Sequence, residues 1–151
     1  MSDKTFTILL CGVGGQGTIT AATLLARVAS AAGKCCKVSE IHGMAQRGGA
    51  VTTVVRFGDN VSTMVCDEGC ADNIVSFETT EALRNLAYLK EGGVLVVNDE
   101  EIKPLPALTG KAEMPARARE RLDERSSLRA NSHAAQEQRN ARTSCCSVRS
   151  P

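Results

Sequence analysis

Along the first hundred residues the apolar positions fall into short blocks punctuated by glycine, and the blocks switch between two periods. Phe6-Thr7-Ile8-Leu9-Leu10-Cys11 is an almost continuous apolar run stopped by Gly12, which predicts a buried strand. Thr18 to Ala32 is apolar on most faces, with Gly33 placed as the C′ residue of a helix. A helix that apolar should lie on a sheet with one side and meet protein on much of the other. Lys37 to Ile41 reads as a second strand. In Ala50 to Phe57, Val51, Thr53, Val55 and Phe57 alternate with Thr52, Val54 and Arg56, the period of two of a strand. Gly58-Asp59-Asn60 reads as a turn, from which Val61 to Val65 would return as a hairpin partner, and Asn73 to Phe77 as another strand.

Further on, Thr79 is the predicted N-cap of a helix with Glu81 in its first turn. Ala82, Leu83, Leu86, Ala87 and Leu89 keep helical spacing until Gly92-Gly93, where the helix is expected to stop. Val94 to Val97 is continuously apolar, the mark of a strand covered on both faces. Strands alternating with helices predict an α/β protein, a Rossmann-like, mostly parallel sheet flanked by helices.

After Pro115 this pattern stops. Residues 117–151 hold no aromatic and no Ile, and only Leu122, Leu128 and Val148 are large apolar residues. Ordering the backbone costs about 1–2 kcal/mol per residue, which so little apolar surface does not offset. Disorder is expected there, or at most a loose helix over Arg117 to Arg129. Charge changes at the same place. Residues 1–116 carry ten Lys and Arg against thirteen acids, a balance of −3, and residues 117–151 carry eight Arg against four acids, a balance of +4. All six lysines precede the boundary. The predicted organisation is one domain over 1–116 and an Arg-rich tail over 117–151.

No apolar stretch reaches the length of a membrane span, and Met1-Ser2-Asp3-Lys4-Thr5 does not begin a basic, apolar and small-residue leader. The expected location is the cytoplasm. The seven cysteines then read as reduced thiols. Cys11 and Cys35-Cys36 lie in strand-like runs, and Cys66 and Cys70 have no second Cys or His pair nearby to complete a metal site. No aromatic lies among the tail arginines to stack on bases, so nucleic acid is not the expected partner.

Two glycine-rich loops carry the candidate chemistry. Gly12-Val13-Gly14-Gly15-Gln16-Gly17 follows a strand and opens a helix, where free N–H groups and the positive helix end favour an anion. Glu40 lies about where a ribose-binding acid would stand in a dinucleotide-binding unit. The glycines also suit a plain tight turn packed on the sheet, and the motif alone does not separate these. The second loop, Glu40-Ile41-His42-Gly43-Met44-Ala45-Gln46-Arg47-Gly48-Gly49, crowds three hydrogen-bonding side chains among glycines. Arg47 suits an anion or carboxylate. Gln46 can orient a partner or close the loop on itself, and His42 reads more simply as a solvated or internally satisfied imidazole than as a catalyst. No catalytic residue is assigned. The candidate ligand- or interface-binding set is Gly12, Gly14, Gly15, Gln16, Gly17, His42, Gln46, Arg47, Gly48 and Gly49.

Both loops together resemble the gamma-type domain of the 2-oxoacid:ferredoxin oxidoreductases. Phe77-Glu78 before Glu81-Ala82-Leu83-Arg84, Gly92-Gly93 before Val96-Val97-Asn98, and Ile102-Lys103-Pro104 are similar too. The form His42-Gly43-Met44-Ala45-Gln46-Arg47-Gly48-Gly49 resembles the branch acting on indolepyruvate and other aryl 2-oxo acids. The resemblance runs from about Phe6 to about Pro115. It implies a subunit without cofactor in a complex that oxidatively decarboxylates such acids to acyl-CoA, with ferredoxin as electron acceptor. Thiamine diphosphate, Mg²⁺ and [4Fe–4S] clusters are then expected in the partner alpha subunit, with coenzyme A as co-substrate and no activity from this chain alone. The alternatives are a gamma subunit for another 2-oxo acid, or a fragment binding NAD(P) or FAD. The tail departs from the family, whose members continue with further sheet and helix. Its loss of Lys, Ile and aromatics resembles translation in a shifted frame, which stands beside a natural disordered tail, and the sheet is expected to be incomplete at its C-terminal end.

Overall fold

A computed structural model describes residues 5–42, 49–98, 102, 109–110 and 117–124. Strand β1 (Phe6–Val13) leads through the glycine loop into helix α1 (Thr18–Ala31). Strands β2 (Cys35–His42) and β3 (Ala50–Gly58) follow, then β4 (Ala71–Ser76), helix α2 (Thr79–Asn85), a 3-10 turn (Leu86–Tyr88) and β5 (Leu89–Val97). The sheet has the order β2-β3-β1-β4-β5. The pairs β1–β4 and β4–β5 are parallel, whereas β3 runs antiparallel to both β1 and β2. Four strands therefore share one direction and β3 is reversed between two of them.

The core follows from the alternation of side chains along β1. Ile8 and Leu10 face α1, where they meet Ala22 and, across the sheet, Val55. Leu9 and Cys11 face the other way, into a cluster with Ile74, Ala82, Leu86 and Leu89 under α2. Helix α1 lies mainly over β2 and β3, and α2 over β1, β4 and β5. Leu24 and Val28 on the outer side of α1 stay more than half exposed, so among the described residues nothing covers that stripe.

Several expectations are corrected. Val61 to Val65 forms no strand, because both edges of β3 are already taken by β1 and β2. The N-cap of α2 is Glu78 and not Thr79: Glu78 Oε2 accepts from the Glu81 amide at 2.8 Å. The helix ends at Asn85, well before Gly92-Gly93, and those glycines lie inside β5. Between the partners Ala71↔Leu89 and Asn73↔Val94, β5 uses three more residues than β4, and a bulge takes them up. Gly92 has φ 73°, and a Cβ on Gly93 would stand 2.8 Å from the Asp72 carbonyl oxygen, so the bulge requires glycine at both. Among the described residues β5 ends the sheet and Val94 to Val97 is covered on one face only, Val94 and Val96 being more than half exposed.

The cysteine expectation is corrected as well. Cys66 and Cys70 are joined as a disulfide, with Cα atoms 5.9 Å apart. A turn closed by the Cys70 amide on the Asp67 carbonyl, at 3.2 Å, folds the chain back, so three intervening residues suffice. Residues 118–124 are helical, and their Ala118 and Leu122 are buried, Leu122 in the cluster under α2.

Candidate functional site

The first loop is built from the inside out by Gln16. Its Oε1 accepts from the Val13 amide at 2.7 Å and its Nε2 donates to the Phe77 carbonyl at 3.1 Å. This side chain staples the loop after β1 to the loop after β4. In this arrangement its side chain serves as a structural strut beneath the candidate ligand- or interface-binding loop. Gly12 lies behind the strut: a Cβ there would meet Gln16 Oε1 at 2.7 Å, Phe77 Cβ at 3.1 Å and Thr18 Cγ2 at 3.2 Å. Gly15 and Gly17 are different. Space around them is open, but their φ values of 107° and 88° are poorly tolerated by other residues.

That conformation leaves the amides of Gly15, Gly17, Thr18 and Ile19 without acceptors among the described residues. They gather at the positive end of a 14-residue helix, a cradle suited to an anion. The Gly14 amide donates to the Gly49 carbonyl at 2.9 Å and so joins the two glycine-rich loops physically. Beside the first loop opens a cleft of about 430 Å³ lined by Gly14, Gly15, Gly17, Thr18, Ile19, Thr20, His42 and Val51. His42 reaches it from the end of β2, where it pairs with Val51.

The structure thus brings Gly14, Gly15, Gly17, His42 and Gly49 to one place, with Gly12 and Gln16 supporting from behind. Gln46, Arg47 and Gly48 lie outside the described residues. Glu40 is not among the cleft residues. It sits on β2, which β3 separates from β1, whereas a dinucleotide-binding sheet sets its second strand beside the first. Thr18, Ile19, Thr20 and Val51 join the cleft without belonging to the set expected from sequence, although Thr18, Ile19 and Thr20 directly follow the motif.

Next to the strut lies a buried polar group that the sequence pattern did not reveal. Glu78 is only 1% exposed, and Ser76 Oγ donates to its carbonyl at 2.6 Å. Burial pushes the Glu81 carboxyl up, nearby Glu78 adds to this, and the Arg84 guanidinium at 2.9 Å opposes it. Burial also pushes the Cys11 thiol up to about 12, against the opposing hydrogen bond from Ser76 and helped by Glu81 and Glu78. Cys11 is therefore a poor nucleophile. Among the described residues no three His, Cys, Asp or Glu side chains gather as metal ligands, and these residues do not fit a metal or a cluster.

A raised carboxyl has a definite linkage sign. Folded protein binds the Glu81 proton more tightly than unfolded protein does, so its contribution is full below the ordinary value of 4.5 and is lost as pH rises through the raised one. Stability of Glu81→Gln, followed by urea unfolding, should fall less steeply than wild type as pH rises from 4.5. Parallel pH profiles would contradict the assignment.

The family described as pyruvate ferredoxin/flavodoxin oxidoreductase matches residues 7–144. The chain is 48% identical over 113 residues to an indolepyruvate oxidoreductase subunit IorB of Pyrococcus horikoshii, covering 75% of this chain and 56% of that one. It is 47% identical over 112 residues to the subunit of the same name from Thermococcus kodakarensis, covering 74% and 55%. The solved pyruvate oxidoreductase subunit PORC of Thermotoga maritima superposes with a TM-score of 0.54 at 28% identity, covering 72% of this chain and 57% of that one. The chain spans about half the length of the curated relatives it matches. No helix among the described residues is long and apolar enough to cross a membrane.

Proposed function

Since this chain belongs to the pyruvate ferredoxin/flavodoxin oxidoreductase family, we propose that it serves as a cofactor-free subunit of a cytoplasmic complex that oxidatively decarboxylates indolepyruvate and other aryl 2-oxo acids. The product is the acyl-CoA and the electron acceptor is ferredoxin. The observation that carries the choice of substrate is the 48% and 47% identity to relatives named for indolepyruvate, against 34% to a subunit named for pyruvate synthase.

Three features of the molecule support a docked subunit. The described residues offer an anion cradle at the start of α1, a place for a charged group brought by a partner; in this proposal the chemistry lies in a larger alpha subunit holding thiamine diphosphate, Mg²⁺ and [4Fe–4S] clusters. Leu24 and Val28 form an uncovered apolar stripe on α1, the kind of surface that a partner buries. The cleft at Gly14, Gly15, Gly17 and His42 opens beside Gly49, where the loop containing Gln46, Arg47 and Gly48 returns to the sheet. In this proposal the two loops together face the alpha subunit or the anionic groups of coenzyme A. We place the body of the domain over residues 1–116, with Leu122 of the following Arg-rich segment packed into its core.

The test is reconstitution. The purified chain should reduce no ferredoxin with indolepyruvate and coenzyme A, and should gain activity when co-expressed with the thiamine-dependent subunit. Turnover by the isolated chain would overturn the proposal. A complex that prefers pyruvate would assign the chain to a sibling enzyme instead, and micromolar NADH, NADPH or FAD binding would favour a nucleotide-dependent oxidoreductase.

A further inference from the structure

Residues 61–70 connect β3 to β4 as a strap held at both ends. Arg56 on β3 donates to the Val65 carbonyl at 2.6 Å, and Lys37 Nζ on β2 donates to the Ser62 carbonyl at 3.1 Å. Val61 is buried. At the far end the Gly69 amide donates to the Ala87 carbonyl at 3.0 Å, in the 3-10 turn between α2 and β5. Cys66 packs against the cluster containing Leu86 and Leu89, and Cys70 stands immediately before β4.

We propose that Cys66 and Cys70 form a reversible redox site, a dithiol that closes to a disulfide by exchange with a low-molecular-weight disulfide and so stiffens the end of the strap that lies against the α2–β5 turn. One protein thiolate attacks a sulfur of glutathione disulfide, releasing one glutathione thiolate and leaving a mixed disulfide. The second protein thiolate attacks the protein sulfur of that bond and releases the other glutathione. Two electrons pass from the cysteine pair to glutathione disulfide, and the two thiol protons end on the two glutathiones.

Nearby cysteines do not compete within the fold. Cys11 is fully buried, and Cys35 and Cys36 are consecutive strand residues whose side chains leave opposite faces of the sheet. The three-residue spacing keeps Cys66 and Cys70 close whichever state they are in. Closure therefore changes chiefly the freedom of the strap, and a constrained loop opens less often.

The test uses the full chain with Cys35, Cys36, Cys145 and Cys146 replaced by serine, equilibrated over a series of glutathione to glutathione disulfide ratios. After acid quenching and alkylation, the peptide containing Cys66 and Cys70 should lose both alkylation sites together, with a second-order dependence on glutathione. Its backbone amides should exchange roughly tenfold faster in the reduced form. The Cys66→Ser variant should carry a single glutathionyl group at Cys70 and show the fast exchange under both conditions. Glutathionyl groups that persist on the intact pair without ring closure would overturn the proposal, as would equal amide exchange in the oxidised and reduced wild-type pair.

Discussion

Replacing Gly12 by valine is expected to destabilise the folded chain by about 2–4 kcal/mol, measured as a lower urea midpoint at unchanged slope. The new Cβ would fall 2.7 Å from Gln16 Oε1 and 3.1 Å from Phe77 Cβ. The far end of Gln16 is flexible and moves first. Moving it breaks two hydrogen bonds at once, the one accepted from the Val13 amide and the one donated to the Phe77 carbonyl. The loop after β1 then loses its tie to the loop after β4. Gly15→Ala makes the contrast, since nothing lies within 4 Å of its Cβ and only the left-handed backbone is strained. It should cost about 1–2 kcal/mol. Equal midpoints for Gly12→Val and wild type would show that the strut does not hold the loop.

This pair also shows what the sequence could disclose. The strand, the glycine turn and α1 were legible to within a residue or two, because each is a local pattern closed by glycine. Phe6 began the strand, Thr18 began the helix, and Gly33 followed its cap. The roles of the loop residues were less legible. Gln16 belongs to a binding motif by position, yet its amide turns inward to the Phe77 carbonyl, 61 residues away in the chain.

Distance in the chain explains the other departures. The insertion of β3 between β2 and β1 is a choice among strand edges, and no local pattern encodes it. It also removes the edge that Val61 to Val65 would have used. Residues 82–89 fit a longer helix by spacing, but pairing with β4 draws Leu89 into the sheet opposite Ala71. The burial of Glu78 is equally non-local, since a charged residue beside Phe77 carries no local sign of being a cap. The binding chemistry of each glycine-rich loop was legible by itself, but the Gly14–Gly49 bond that joins them was not.

Leu122→Asp is the second large effect, an expected loss of about 3–5 kcal/mol. By composition the tail is too poor in apolar residues to order, or forms at most a loose helix over Arg117 to Arg129, and residues 118–124 are helical. One leucine needs no favourable composition around it, however, if a short helix delivers it to the apolar cluster under α2. Leu122 is 5% exposed and belongs to the cluster of Leu9, Cys11, Ile74, Ala82 and Leu86, so residues 118–124 borrow the core of the preceding domain. An aspartate there would bury a charge without a partner, whereas the exposed neighbour Arg121→Ala should shift stability by no more than about 0.5 kcal/mol. Truncation after residue 116 should lose the Leu122 burial without adding the charge, and so fall between the two. If Leu122→Asp unfolds at the wild-type urea concentration, residues 118–124 contribute nothing to the fold and the body ends at 116. If it unfolds early, the domain takes its last side chain from beyond the change in composition.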